Sequence, residues 1–225
     1  NVFDECGLSI QAQTILAGNS GDFGSPPDEL SFIIYLSLFC GYNAGAYYPT
    51  KHFKHYVQRI AEFITEHDGC HIYYETLVSN IIIDDSACSI SCVETADGKK
   101  FTAKQFICNA DPQMAAKKLI GWEKFPSSYQ KKLSYTYSPS GIMIYLGLKN
   151  IDLTKYGFGK HNTWHMEDWG LNTMWQKQRQ GDFSKPWFFI STPTLHSKAP
   201  GTAPQGCEIM EIATLVDYDM FKTLQ

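Results

Sequence analysis

The feature that most restricts how this chain can fold is an ordered run of local signals over residues 41–112. A small-residue turn at Gly45-Ala46 leads into Tyr47-Tyr48-Pro49. Apolar residues at helical spacing then predict a long amphipathic helix over Lys51–Glu66. Asp68-Gly69 predicts the end of that helix, because glycine adopts the left-handed backbone of a helix cap at little cost.

A local sheet is predicted after this helix. Asp97-Gly98 is typical of a tight hairpin turn, and Asp111-Pro112 predicts a helix to about Ile120, with aspartate as its cap and proline in its first turn. The predicted strands form a meander over Cys70–Glu75, Val78–Asp84, Ala87–Thr95 and Lys99–Cys108.

The flanking segments predict a second set of helices and strands. The prolines and acids of residues 26–29 begin a helix that runs to about Phe39 and is apolar on nearly every side, which indicates a buried helix or one that lines an apolar cavity. Thr192–Gly206 is predicted to be an exposed loop. Further helices are predicted over Ser127–Ser134 and Asp168–Gln180, a buried strand over Gly141–Leu148, and strands over Asn162–Met166, Trp187–Ser191 and Cys207–Leu215.

Composition excludes several function classes. The net charge is −4 with no block of like charge, so nothing favours nucleic acid as a partner. The seven cysteines are scattered and odd in number, which favours reduced thiols over a disulfide framework. The longest apolar run, Leu30–Cys40, is shorter than the roughly 20 residues that span a bilayer. We expect a protein that is cytoplasmic or peripheral to an internal membrane.

Several short motifs, taken in order, carry a family resemblance. Residues 44–52 read Ala-Gly-Ala-Tyr-Tyr-Pro-Thr-Lys-His and are similar to a G-G-x-Y-Y-P-x-G-G fingerprint, with Lys51 and His52 in place of the last two glycines. The set resembles the FAD-dependent phytoene desaturases, carotenoid isomerases and retinol saturases of the amine-oxidase-like flavoprotein superfamily. The other matching segments are Val78-Ser79-Asn80-Ile81, Asn109-Ala110-Asp111-Pro112, residues 135–141, Ala199-Pro200-Gly201 and Pro204-Gln205-Gly206.

The resemblance implies a fold and a cofactor. The fold class is α/β (α+β) of the glutathione-reductase-like type, with residues 41–112 in the FAD-binding lobe and residues 1–40 and 113–225 in a substrate-binding lobe of mixed sheet and helices. No G-x-G-x-x-G turn is present, so we interpret the chain as an internal piece of a longer protein. The implied FAD-binding residues are Tyr48, Pro49, Val78, Asn109 and Ala110, and the implied substrate residues are Tyr47, Tyr48 and His52.

The implied function is an FAD-dependent oxidoreductase that desaturates, saturates or isomerises a conjugated apolar substrate of the carotenoid or retinoid kind. No catalytic acid or base is identified. Two alternatives stay open: an amine-oxidase-like flavoprotein with a polar substrate, and a non-catalytic lobe that binds a lipid or a partner protein. Peripheral membrane association also stays open, and the oligomeric state is not assigned.

Some residues have structural as well as functional interpretations. Tyr47 and Tyr48 suit either a substrate channel or a packed structural turn. The residues His161, His165, Glu167 and Asp168 have a spacing that a metal site can use, but we favour a polar strand edge. Cys88 and Cys92 are a weaker metal pair, because no further cysteine or histidine clusters with them. We therefore predict no metal site.

Overall fold

The computed structural model describes residues 2–84, 86, 89–197 and 199–222, and they divide into two compact units. The first unit comprises residues 1–60 and 138–225, and the second comprises residues 61–137. The described part of the chain mixes helices with two antiparallel sheets, as the α+β prediction requires. The assignment of residues 41–112 to an FAD lobe stays a prediction, because compactness does not say which ligand a unit holds.

The helices and strands of the described residues lie mostly where the sequence patterns place them. The helices are α1 (Val2–Glu5), α2 (Ile10–Ala17), α3 (Phe32–Asn43), α4 (His52–Thr65), α5 (Pro112–Met114), α6 (Ser127–Leu133), α7 (Leu171–Arg179), α8 (Pro193–His196) and α9 (Tyr218–Lys222). The strands are β1 (Val78–Asp84), β2 (Ser89–Thr95), β3 (Lys100–Phe101), β4 (Ser140–Lys149), β5 (Thr163–His165), β6 (Phe188–Ser191) and β7 (Cys207–Val216).

The sheet of the first unit has the order β4-β7-β6-β5, and every neighbouring pair is antiparallel. The pairing of β4 with β7 runs without a register shift from Ser140 opposite Val216 to Lys149 opposite Cys207. The prediction of a buried strand over Gly141–Leu148 is wrong in its burial. β4 is hydrogen-bonded on one edge, and its Tyr145 side chain is 69% exposed.

The core of the first unit forms where α7 packs near the end of β7 and the start of β6. It contains Ala17, Leu171, Met174 and Trp187. The buried amide of Gln178 donates from Nε2 to Thr214 Oγ1 over 2.8 Å, and its Oε1 accepts the backbone N–H of Trp187 over 2.6 Å. Because an unpartnered buried amide is costly, these bonds fix the register between α7 and the sheet.

The sheet of the second unit is the predicted meander in the order β1-β2-β3. Gly98 has φ +82°, as the predicted turn requires. The strand predicted over Cys70–Glu75 is not formed, and the strand predicted over Lys99–Cys108 is limited to Lys100–Phe101. The first strand is not formed because Glu75 has φ +50°, which is incompatible with an extended backbone. The second is short because a strand continues only where a neighbouring strand hydrogen-bonds to it.

Asp111 confirms its predicted role as a helix cap. Its Oδ1 accepts the backbone N–H of Met114 over 2.7 Å, and Pro112 occupies the first turn. The helix continues over Ala115–Ile120 with the wider π hydrogen-bonding pattern. The hydroxyls of Tyr135 and Tyr137 also donate to Asp111, each over 2.8 Å, so one carboxylate joins the helix to the segment that follows α6.

Two further predictions of burial in the first unit differ in part from the structure. Helix α3 buries Tyr35 but leaves Ile33 79% exposed, although Phe32 and Tyr35 do line an apolar cavity. The segment 192–206 is not exposed throughout, because Thr192 and Leu195 are buried around α8. Within the described residues, no helix combines the length and the apolar character needed to cross a bilayer.

Candidate functional site

A cavity of about 1230 Å³ in the first unit brings together three residues that the family resemblance singles out. Tyr47, Tyr48 and His52 all line it, and we call it the Tyr48 cavity. Its walls come from the turn before α4, the first turns of α4, α8 and the Ala199–Thr202 segment, with the faces of β6 and β7 beside them. Segments about 150 residues apart in sequence thus share one site.

The Tyr48 ring is held by aromatic contacts on two sides. It stacks on His196 with ring centroids 5.1 Å apart, and it meets Phe53 edge-on at 5.2 Å. Partial burial, followed by the negative charge of Glu211, raises the pKa of the Tyr48 hydroxyl. The phenol therefore stays protonated at neutral pH and is available as a hydrogen-bond donor. Tyr47, in contrast, is 90% exposed.

His52 joins the turn before α4 to the segment that follows α8. Its Nε2 is hydrogen-bonded to Thr202 Oγ1, and the Thr202 hydroxyl donates to the carbonyl of Ala199 over 2.8 Å. Since that hydroxyl has one proton, His52 Nε2–H is the donor to Thr202. This tautomer leaves Nδ1 to accept from the Tyr48 hydroxyl at 3.4 Å.

The backbone of His52 adopts a conformation that favours glycine. Its φ is +64°, in the left-handed region, where most side chains are strained. This is the position at which the family fingerprint has its last glycine. The turn therefore has, at this position, a backbone conformation that glycine adopts without strain. A second contact holds the turn, because Ser197 Oγ donates to the carbonyl of Thr50.

Polar and apolar side chains share the walls of the Tyr48 cavity, and the charged groups among the described lining residues are mostly basic. Lys51, Lys54 and Lys160 line it together with four histidines, and Glu211 is the acid among the described lining residues. Such a wall can bind carbonyl, carboxylate or phosphate oxygens. Among the described lining residues, the Tyr48 hydroxyl and His52 Nδ1 lie 3.4 Å apart, which is long for proton transfer between them. The arrangement is suited to holding a ligand whose reactive atoms lie on the ligand itself.

The other implied cofactor residues do not join this cavity wall. Pro49 is half-buried in the same turn and accepts the backbone N–H of His52 over 3.0 Å. Val78, Asn109 and Ala110 belong to the second unit. Val78 is half-buried and begins β1 opposite Thr95, whereas Asn109 and Ala110 are exposed just before the Asp111 cap. The ligand roles of all these residues stay predictions.

The metal-site alternative gains no support. His165 stacks on Phe188 at 4.4 Å, and Asp168 pairs with Lys185 at 3.2 Å, a contact that lowers the pKa of Asp168. Across residues 2–84, 86, 89–197 and 199–222, no group of three or more metal-ligating side chains comes together. Cys88, the proposed partner of Cys92, lies outside the described residues.

Sequence reasoning missed His196 and Ser197 as parts of this site. Both lie in the segment that was predicted to be an exposed loop, and no local signal marks them. Thr202 was also missed, although it follows the Ala199-Pro200-Gly201 motif directly. The Ala199-Pro200-Gly201 motif was the signal that could have identified Thr202, since a turn that recurs in a family often positions the residue that follows it.

Comparison with known proteins gives one informative similarity. The chain is 26% identical over 130 residues to a phytoene desaturase of Phycomyces blakesleeanus. It supports a distant relationship to the phytoene desaturases. The match covers 57% of this chain and 22% of the fungal protein, so the chain spans about a fifth of that relative's length. No family model matches the chain.

Proposed function

We propose that this chain is part of an FAD-dependent oxidoreductase of the carotenoid-desaturase type. The observation that carries the proposal is the convergence of Tyr47, Tyr48 and His52 on one cavity. These residues come from the motif that resembles the desaturases, and the chain is similar over 130 residues to the fungal phytoene desaturase. A turn that served packing alone would not need a cavity of this size beside it.

The described residues suit part of an FAD molecule. The Tyr48 cavity is larger than the roughly 300–1,000 Å³ of an ordinary small-molecule site. Its lysines are suited to phosphate or carbonyl oxygens, and Tyr48 offers an aromatic face and a hydroxyl donor. The sequence contains no G-x-G-x-x-G turn, so the proposal places recognition of the pyrophosphate outside these 225 residues.

The roles proposed for individual residues follow from these properties. The residues proposed to contact FAD are Tyr48, Pro49, Val78, Asn109 and Ala110. Tyr47, Tyr48 and His52 would face the substrate. Bound FAD supplies hydride exchange with a conjugated apolar substrate such as a carotenoid or retinoid. The chain's own residues orient the two partners and exclude water, and the proposal includes peripheral association with an internal membrane.

The first test is the visible absorption spectrum of the full-length protein, purified without added cofactor. We expect the two bands of oxidised flavin, with release of FAD on denaturation. A Tyr48→Leu variant should bind FAD more weakly, because it loses the ring and the hydroxyl. Tyr145→Leu is the matched control, since Tyr145 is exposed on β4 and does not line the cavity.

Two outcomes would contradict the proposal. A colourless protein that also fails to take up added FAD would indicate a non-catalytic lobe. Equal FAD affinity in the Tyr48→Leu and Tyr145→Leu variants would remove the Tyr48 cavity from the cofactor site. Membrane association is tested separately by flotation with neutral and anionic phospholipid vesicles.

A further inference from the structure

The sheet side of the Tyr48 cavity carries two polar side chains that face the same way. Ser191 ends β6, Glu211 lies in β7, and the two residues are directly opposite each other in the antiparallel pairing. Side chains in such a pair point to one face of the sheet, with Cβ atoms about 4.5–5.5 Å apart. Both residues line the cavity. Phe189 and Ile209, two positions earlier on the same strands, also line it, so the polar pair has apolar neighbours.

Ser191 is buried, but its hydroxyl is open to the cavity. The residue is 9% exposed, and its Oγ makes no hydrogen bond within the described part of the chain. The oxygen nevertheless keeps some accessible surface, unlike the Oγ of Ser20, which is sealed from solvent. Because Ser191 lines the Tyr48 cavity, an atom of a ligand in that cavity can reach this hydroxyl.

Glu211 brings an unpaired negative charge to the same face. It is half-buried, and it makes no hydrogen bond or ion pair with the described residues. Its charge is close enough to Tyr48 to add to the effect of burial in raising the pKa of that phenol. An ionised carboxylate accepts hydrogen bonds and donates none. Glu211 is therefore satisfied only when water or a ligand supplies a donor.

The neighbouring acid on the same strand behaves differently. Glu208 is three positions before Glu211, so its side chain points to the opposite face of the sheet. It does not line the Tyr48 cavity, and it accepts a hydrogen bond from the hydroxyl of Thr194. The acid on the far face is thus satisfied within the protein, whereas the acid on the cavity face is not.

These properties select one kind of ligand group. A hydroxyl or a primary amide can donate to Glu211 and accept from Ser191 at the same time, whereas a ketone, an ether or a hydrocarbon leaves the carboxylate without a donor. An anion is repelled by Glu211, and a cation is disfavoured by the three lysines of the cavity wall. We propose that Ser191 and Glu211 form a polar subsite that selects a neutral hydroxyl or primary amide on an otherwise apolar ligand.

This inference rests on the proposed function in taking the Tyr48 cavity as the ligand site, and its test does not use FAD. The probes share one phenyl-alkyl skeleton: benzylacetone, the alcohol formed by its reduction, and hydrocinnamamide, in which an amino group replaces the methyl group of the ketone. Binding to the full-length protein is measured by ligand-observed NMR titration. The alcohol or the amide should bind at least about tenfold more tightly than the ketone, because hydrogen bonds to charged groups are the stronger ones. The tighter of the two identifies the group that the subsite prefers.

Two variants and one control locate the subsite. Glu211→Gln keeps the shape but replaces the charged acceptor by an amide that can donate to a ketone, so the preference over benzylacetone should fall below about threefold or reverse. Ser191→Ala should weaken binding of the alcohol about threefold to tenfold. Glu208→Gln is the matched control, since its carbonyl oxygen can still accept from Thr194, and it should leave the preference unchanged.

Several results would overturn the proposal. They are equal binding of the three probes, no binding of any of them, a preference that survives Glu211→Gln, or a preference that Glu208→Gln removes equally. Tighter binding of the corresponding primary amine than of the alcohol would also overturn it, because the subsite would then select a cation. The visible spectrum of the same preparations separates this test from that of the proposed function. Protein that shows flavin bands but no preference refutes the subsite alone, and colourless protein that keeps the preference refutes the flavin assignment alone.

Discussion

The left-handed backbone of His52 gives a prediction whose sign runs against ordinary helix propensity. An L-residue in this conformation is strained by about 1–2 kcal/mol, and glycine is not. Replacement of His52 by either alanine or glycine removes the hydrogen bond to Thr202, which is worth about 0.5–1.5 kcal/mol net. Alanine retains the strain at φ +64°, whereas glycine relieves it.

The expected order of stability follows from these magnitudes. Glycine costs roughly 0.5–1 kcal/mol in conformational entropy relative to alanine, which offsets part of the relieved strain. His52→Gly should therefore be more stable than His52→Ala by about 0.5–1 kcal/mol, although His52 is the first residue of α4. Urea unfolding followed by tryptophan fluorescence measures this, because four of the five tryptophans are in the first unit.

A matched pair at Gln58 controls for propensity. Gln58 is exposed in the same helix and has an ordinary negative φ, so Gln58→Gly should be less stable than Gln58→Ala by about 1 kcal/mol. If His52→Ala proves as stable as His52→Gly, while the Gln58 pair behaves as expected, the strain assigned to this turn is wrong. The same result would remove the structural link between His52 and the glycine of the family fingerprint.

Two further predictions concern packing and pH. Gly21→Ala should lower the free energy of unfolding by about 1–3 kcal/mol, because the new Cβ would meet the Trp187 ring at 2.3 Å. Gly41→Ala is the control: Gly41 lies in α3 with open space around it, so this variant should raise the free energy of unfolding by about 0.5–1 kcal/mol. Similar urea midpoints for the two variants would refute the contact between Gly21 and Trp187. The hydrogen bond to Asp111 raises the pKa of Tyr137 to about 12, so its stabilising contribution is complete below about pH 10 and is lost as the pH rises through 12. Asp111→Ala should return that pKa toward about 10 in a 295 nm absorbance titration, and an unchanged value would exclude Asp111 as the cause.

Elements whose signals are local could be predicted from the sequence. Asp111-Pro112 specifies a cap and a first turn within three residues, and the structure has both. Gly98 adopts the positive φ that the tight turn needs, and this turn lets β2 and β3 pair as a hairpin. The strand predicted over Cys70–Glu75 failed for the opposite reason, since strand formation depends on a neighbour that local composition does not reveal.

The Tyr48 cavity could be predicted in part. Tyr47, Tyr48 and His52 are close in sequence and fall within one recognisable motif, so their shared location follows from local order. His196 and Thr202 lie about 150 residues further along the chain, and their contacts arise only when β7 brings α8 beside the turn before α4. The identity of such distant partners depends on sheet order, which residue spacing alone does not determine.

Helices α3 and α4 show that the hydrophobic pattern predicts a helix more reliably than it predicts which side chains are buried. In α4 the spacing of Phe53, Val57 and Ile60 predicted the helix correctly, yet all three side chains are exposed. In α3 the largely apolar run predicted burial or an apolar cavity; Phe32 and Tyr35 do line a cavity, but Tyr35 is the residue buried there among those described. Pattern specifies a helix because backbone geometry sets which residues share a face. It does not specify what covers that face, because burial depends on a second surface. The apolar cavity described above follows the same logic, since Phe32 and Tyr35 of α3 line it while Ile33 of the same helix is exposed to solvent.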